Sequence, residues 1–348
     1  MMSATGGDML KQKFSISLHL AELIDEISSL RERIIRSPIQ IAWIPALQKE
    51  TLIKNAMGST AIEGFVLSLP EVRGLAEGSK ISRSFSVAEK AVLNYLACLR
   101  YIQKHKKEKS FTHEKILKLH RITGEGAVEQ GPAGSYRTIQ NYVVNGIGNV
   151  VYTPPPPAKV RPDMTELLDW INKESNAQLP VISSGIIHYH FVRIHPFVDG
   201  NGRVARILGT WELLRRNFDT LHILAIDDLI YEHKRNYYAA LGSVSENGGD
   251  MTKWLEFYLE IVAESLDLAW KRIASLPKTK KDVDLVLTPK QEKLLSLFRD
   301  AGNLSAKEIA KALKVTVQGA HFILTPLLKA KIVKRYGGRK TGKYGLSR

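Results

Sequence analysis

The 348-residue sequence holds a single cysteine, Cys98. No intrachain disulfide can form, so a disulfide-stapled secreted scaffold is excluded and a reducing compartment is expected. No run reaches the ~18 apolar residues a membrane helix needs. The first twenty residues mix Gly, Asp, Lys and Ser and carry no signal-peptide apolar core. The expectation is a cytoplasmic protein with no membrane contact. Compositional bias and internal repeats are missing too. With 44% hydrophobic, 8% aromatic and 24% charged positions, a disordered or collagen-like chain is excluded. The length suggests about two or three domains. Acidic residues are scarce at one end. From Lys278 to Arg348 there are 17 Lys/Arg against 5 Asp/Glu, so +12 of the net +15 lies in the last 71 residues. A basic tail points to nucleic acid or another polyanion; the bland alternative is a solvated lysine-rich face.

Apolar spacing predicts helices over 15–36, 45–57, 86–105 and 112–123, with Ser86 and Thr112 as N-caps. Residues 124–158 change character. Two β-like runs, 141–144 and 150–153, flank a Gly-containing five-residue loop and read as a hairpin that Pro154 to Pro157 ends stiffly. Helices resume at 162–173, 180–193, 202–216, 229–244 and 251–273. After a linker-like stretch, three short helices (288–300, 305–313, 317–330) precede a Gly-turned hairpin, a winged helix-turn-helix pattern. Pro326 is expected to kink or shorten the third.

One segment carries chemistry: His195-Pro196-Phe197-Val198-Asp199-Gly200-Asn201-Gly202-Arg203-Val204-Ala205-Arg206. Pro196 and Gly200 force a loop between two apolar helices. Gly200, Asn201 and Gly202 then sit at a helix N-terminus, where backbone N–H groups and the helix dipole make an anion nest. Arg203 and Arg206 share a helix face, and two guanidinium forks suit a polyphosphate. Asp199 is a hard oxygen ligand suited to Mg²⁺ among phosphates. His195 can take a proton from a hydroxyl. The residues alone describe a helix-start site for a nucleotide polyphosphate beside a base.

This segment resembles the Fic family signature, His-Pro-Phe-x-Asp/Glu-Gly-Asn-Gly-Arg-x-x-Arg, with every defining position filled. The likeness extends over roughly residues 40 to 265. It implies a mainly α protein: a Fic helical core with an inserted β-hairpin flap, to which the pattern above adds a C-terminal winged helix-turn-helix domain. It implies an enzyme that transfers AMP from ATP, with Mg²⁺, to a Ser, Thr or Tyr hydroxyl of a protein. His195 would deprotonate the hydroxyl and Asp199 would hold Mg²⁺. Asn201 with the Gly200 and Gly202 backbone would cradle phosphates, Arg203 and Arg206 would grip the phosphate chain, and Phe197 would be an apolar anchor. The protein target would lie along the flap, whose expected docking residues are Tyr136, Arg137, Tyr142, Val143, Val151 and Tyr152. Ser59-Thr60-Ala61-Ile62-Glu63-Gly64 resembles the family's inhibitory motif, which implies that Ser59 and Glu63 restrain Arg206. Tyr237 matches a stretch that packs near adenine, and Asn247 is a weaker candidate of that kind. Removal of AMP at the same site, and a DNA-binding regulator with a nucleotide-sensing core, are the alternatives.

The resulting division is 1–85 (inhibitory helical segment), 86–276 (core, flap at 134–157), 277–284 (linker) and 285–348 (winged helix). In the last, Gln318, His321 and Thr325 are candidates for base edges, and Lys334, Arg335 and Arg339 for phosphates. The same fold also docks proteins, and homodimers are common among the proteins this chain resembles. Gly337-x4-Gly342-Lys343 is followed by Tyr344 and lacks a P-loop context. Of His188, His190 and His195, the first and last could share a helix face, but no Cys or third well-spaced metal ligand joins them, and Cys98 reads as core.

Overall fold

The computed structural model describes residues 12–37, 43–78, 84–108, 110–127, 131–144, 147–219, 221–275, 288–329, 332–337 and 342–346. The expected linker at 277–284 and Arg339 lie outside them. The chain is mainly helical, with fourteen α-helices, a short 3-10 helix (Ser175–Ala177) and two two-stranded antiparallel hairpins among the described residues. None of these helices is long and apolar enough to cross a membrane. The chain folds as two units, a larger one of residues 1–30 and 48–269 and a smaller one of 31–47 and 270–348.

The larger unit is built around α7 (Pro180–Ile194) and α8 (Asn201–Arg215). Both are buried on nearly every side, the pattern of a helix at the centre of a globule. Trp254 on α11 (Thr252–Ser275) is fully buried and donates its indole N–H to Gly185 O at 2.9 Å. Around them lie α1 (Leu18–Arg36), α2 (Ile44–Ile62), α3 (Leu69–Ala76), α4 (Val87–Lys104), α5 (His113–Gly124), α6 (Pro157–Lys173), α9 (Ile226–Glu232) and α10 (Lys234–Glu246). Ser86 and Thr112 cap α4 and α5 through hydroxyls that accept from Glu89 N and Lys115 N, as their sequence predicts. The flap is β1 (Val143–Val144) with β2 (Val150–Tyr152).

Four boundaries differ from expectation. α2 continues five residues beyond 57, so Ser59 lies inside the helix and Glu63 follows its end. Tertiary contacts hold that extension: Asn55 spans Leu224 O (2.9 Å) and Asp227 N (3.0 Å). α6 begins at Pro157, a favourable first-turn proline, and absorbs Pro162 because Val160, Asp163, Met164 and Leu167 are buried. The expected helix over 229–244 is two helices, broken where His233 leaves helical angles (φ −100°, ψ 28°). α3 was not anticipated, although Ser68 and Glu71 form a capping box there.

In the smaller unit, α12 (Pro289–Ala301), α13 (Ala306–Leu313) and α14 (Val317–Lys329) enclose a core that includes Leu294, Phe298, Ile309, Leu313 and Leu324. β3 (Val333–Tyr336) pairs with β4 (Lys343–Leu346), and Leu304 adds a bridge to Tyr344. Pro326 sits inside α14 without ending it.

Gly58 fixes how closely α2 meets α9. A Cβ there would lie 2.5 Å from Asp227 O and 2.6 Å from Asp228 Cα, both backbone atoms that cannot swing aside. Gly58→Ala is expected to destabilise by about 1–3 kcal/mol and to lower the melting temperature by several degrees in calorimetry. Gly74→Ala, on α3 with nothing within 4 Å, should leave it level or raise it.

Candidate functional site

α7 ends at His195, whose backbone turns left-handed (φ 49°, ψ 57°) and carries the chain off the helix axis. Non-glycine residues accept this conformation at some cost, and here it delivers the imidazole to the loop. His195 Nδ1 lies 3.2 Å from Val192 O. A carbonyl only accepts, so Nδ1 carries the proton and Nε2 keeps its lone pair. Burial pushes the His195 pKa down to about 4, against the opposing pull of Glu63 and Asp199. The ring is a neutral base at pH 7.

Gly200 caps α8 with φ 81°, a conformation glycine adopts without strain. Asn201 departs from expectation. Its side chain accepts from Phe197 N and donates to Phe197 O, both at 2.8 Å, and the residue is 2% exposed. Its amide closes the loop on itself, so it shapes the phosphate site from within, with one amide N–H spent on Phe197 O. Phe197 is fully buried, stacked on His120 with ring centroids 3.6 Å apart and planes 6° from parallel.

Both arginines are buried. Among the described residues Arg203 reaches only distant acceptors: Thr123 O at 3.4 Å, Ala127 O at 3.5 Å and Asp199 Oδ2 at 3.5 Å. Its Nε has no hydrogen-bond partner among them. Arg206 is gripped. Its Nε donates to Ser59 Oγ at 2.7 Å, and its Nη2 donates to Ser59 O at 3.0 Å and to Glu63 Oε1 at 2.6 Å. Burial alone would raise the Glu63 pKa, but Arg206, with Arg203 and His195, holds it below the usual carboxylate range. The Glu63 carboxylate also lies on the first turn of α8. A Cβ at Gly202 would fall 2.3 Å from Glu63 Oε1, so glycine is what admits it. Glu63 therefore places an anion where the helix dipole and N–H groups favour one.

The flap is tied to this loop by residues expected to dock a target. Arg137 is 3% exposed. Its Nε donates to His195 O at 2.8 Å, its Nη1 to Ile139 O at 3.1 Å, its Nη2 to Pro155 O, and its backbone N–H to Pro196 O at 2.9 Å. Arg137 is a clamp between both feet of the flap and the loop. Tyr136 packs on Phe197 (5.5 Å between centroids) and hydrogen-bonds His113, so it too faces inward. Tyr152 anchors β2 by donating to Arg193 O at 2.8 Å. Val143 is half-buried, while Tyr142 and Val151 are exposed.

Tyr237 is also corrected. It is 2% exposed, its hydroxyl is 3.0 Å from His188 Nε2, and its ring packs among His188, Trp254 and Phe257. It is core under Arg206, with no face open to a base. Asn247 caps the end of α10 and donates to Ser243 O. His188 is buried and held neutral, its pKa pushed down to about 3 by burial. Gln318, His321, Lys334 and Arg335 lie on exposed surface of the smaller unit.

Sequence reasoning missed His120. Its Nε2 donates to Asp199 O at 3.0 Å and its Nδ1 accepts from Gly134 N at 2.8 Å. It thus joins the flap's start to the loop, as a neutral ring whose pKa burial drops to about 4. A lone His mid-helix, 75 residues before the signature, gives no signal. Also unforeseen is the layer behind Arg206, where Tyr95 donates to Asp227 Oδ2 at 2.6 Å in the core.

For a cation, Asp199 offers a partly exposed carboxylate. No cluster of three His, Cys, Asp or Glu exists among the described residues. One carboxylate does not make an all-protein metal site. It does fit Mg²⁺, which takes its other ligands from substrate phosphates and water.

Residues 110–213 match the Fic/DOC family. A protein adenylyltransferase Fic from Nematostella vectensis is 28% identical over 250 residues, 71% of this chain and 55% of that protein. Protein adenylyltransferase fic-1 from Caenorhabditis elegans is 30% identical over 258 residues, 71% and 47% of the two chains. The chain spans about half the length of the curated relatives it matches. Among solved structures, a Fic family protein from Desulfovibrio desulfuricans G20 superposes with a TM-score of 0.66 at 24% identity, covering 97% of this chain and 98% of the other, which shows the shared fold. Fic-1 (aa134–508) of C. elegans gives 0.59 at 25% identity over 73% and 71% of the chains.

The loop-closing role of Asn201 is checked without any ligand. Asn201→Ala leaves Phe197 N and O unpaired in the interior, so the ligand-free protein should lose about 2 kcal/mol and several degrees of melting temperature. An asparagine that only touched phosphate would leave that temperature unchanged.

Proposed function

We propose, for a chain whose residues 110–213 form a Fic/DOC-family domain, that it transfers AMP from ATP to a hydroxyl of a protein and is held back by its own Glu63. The observation that carries this reading is the pairing of a neutral His195, Nε2 unprotonated, with an arginine-backed helix N-terminus whose anion position Glu63 fills.

The chemistry balances with these groups. His195 Nε2 takes the proton of the target hydroxyl as its oxygen attacks the α-phosphorus. The bond from that phosphorus to the bridging oxygen breaks, and pyrophosphate leaves. The α8 N–H groups and Arg203, whose donors are poorly satisfied, stabilise charge on the phosphates, and such preorganised donors supply most of the rate in phosphoryl-type transfers. Mg²⁺ at Asp199, when bound, neutralises phosphate charge. A target segment adds to the flap by main-chain pairing. Tyr142, Val144, Val150 and Val151 expose apolar side chains there. For the base, α10 offers Tyr238, 48% exposed and within electrostatic reach of Glu63 and Arg206.

Glu63 blocks by substitution. Arg206 cannot give the same Nη2 to Glu63 and to a terminal phosphate, and the carboxylate repels phosphate from the first turn of α8. With α-³²P-ATP and Mg²⁺, Glu63→Gly is expected to label protein at least tenfold faster than the parent, which needs only about 1.4 kcal/mol of released bias. His195→Ala in that background should abolish label. Equal rates for parent and Glu63→Gly contradict the restraint, and label surviving His195→Ala contradicts the base.

The pH profile follows from the histidine. Its ring must be neutral to act, and its folded pKa of about 4 lies below the usual 6.5. The acidic limb of kcat/KM for Glu63→Gly should therefore stay level from pH 8 down to about pH 5. A fall centred near 6.5 would mean an ordinary solvated imidazole.

A further inference from the structure

We propose that the C-terminal unit binds duplex DNA, with α14 in the major groove presenting Gln318 and Phe322 to A·T base pairs and with the β3–β4 hairpin on the phosphates.

Geometry comes first. α13 and α14 are joined by only Lys314, Val315 and Thr316, and Lys314 makes the turn by taking left-handed angles (φ 52°). Two helices on such a turn are the arrangement that lays the second helix across a groove. The inner face of α14 is spent on the core: Ala320, Ile323, Leu324 and Leu327 are buried. Its outer face holds Gln318 and, one turn on, Phe322, which is 80% exposed. The other two sequence candidates are engaged locally. His321 packs edge-on against Tyr344 at 6.0 Å, and Thr325 Oγ1 donates to His321 O at 2.8 Å. Beside these two, which stay exposed, the face presents a primary amide and a strongly exposed apolar ring. An amide pairs with adenine N6 and N7, and an apolar ring meets the thymine methyl.

Charge decides the partner. From Ile309 to Arg348 the sequence contains no Asp or Glu at all and ten Lys or Arg. A merely solvated face intersperses both signs; this one does not. Lys334, Arg335 and Lys343 are exposed on the hairpin, where they flank α14 as phosphate contacts flank a reading helix. The acidic side chain nearest in sequence, Glu308, is bound to its own capping Ser305.

The test uses the full chain and fluorescence anisotropy with ~20-bp duplexes, one A·T-rich and one G·C-rich, from about 50 to 300 mM KCl. The chain should bind both, prefer the A·T-rich duplex, and weaken linearly in log K against log salt. Lys334→Glu with Arg335→Glu should weaken binding to both by tenfold or more and flatten the slope by about 2. Gln318→Ala and Phe322→Ala should narrow the A·T preference and leave the slope alone. All four positions are exposed, so the fold should survive. No binding at the lowest salt would overturn the proposal. So would heparin competing as well as the preferred duplex while Gln318→Ala and Phe322→Ala keep the parent's preference, which would reassign the surface to polyanions in general. A protein captured by this unit in place of DNA would overturn it as well.

Discussion

A guanidinium buried to 2% exposure needs partners, because an uncompensated interior charge costs several kcal/mol. Arg206 is that charge, and much of the surrounding structure follows from meeting its needs. Ser59 supplies a hydroxyl and a carbonyl, and Glu63 supplies the countercharge. Both sit at the end of α2, so α2 must run to Ile62. Gly58 must lack a side chain for the helix to come so near α9, and Gly202 must lack one for the carboxylate to rest on α8. Behind the guanidinium lie Tyr95, Asp227 and Tyr237, which shape its field. The same arginine that a phosphate chain would require is thus satisfied in advance by a carboxylate of its own chain. A site arranged this way is complete and closed at once.

The second constraint is positional. The loop that carries His195 and Asp199 has little regular structure of its own. It is held by Asn201 from within, by Arg137 from the flap, and by His120 through Asp199 O and Gly134 N. Two of these tie the hairpin to the loop, so a target paired along the flap, as proposed, would be aligned with His195 by the backbone connection. Burial keeps His120, His188 and His195 neutral. That avoids bringing positive charge beside the buried arginines and leaves His195 able to accept a proton.

The signature from His195 to Arg206 was legible because its chemistry is local: glycines, a helix start and two arginines on one face need no tertiary partner to be recognised. The pairing of Glu63 with Arg206 was legible only through the resemblance, since a Glu at a helix end carries no mark of what lies opposite. What the sequence hid is long-range. Arg137 reads as a surface residue of a hairpin until the carbonyls of His195 and Pro155, far off in sequence, converge on it with that of Ile139. Asn201 reads as a phosphate ligand, and nothing local shows that its amide also closes on Phe197. Tyr237 and Tyr238 are neighbours in a pattern of period 3.6, and only packing against His188 and Trp254 decides which turns inward. Helix ends went astray for the same reason: buried contacts carried α2 past Met57 and α6 back to Pro157, against weaker local signals.

The central claim is that Glu63 occupies an anion position that belongs to the substrate's terminal phosphate. Its most direct test is a pair of crystal structures, parent and Glu63→Gly, each with a non-hydrolysable ATP analogue and Mg²⁺. The account predicts that the terminal phosphate accepts from Arg206 in Glu63→Gly, and that in the parent Arg206 stays with Glu63 while the phosphates are turned away. The same phosphate pose in both, with Arg206 equally engaged, would contradict it.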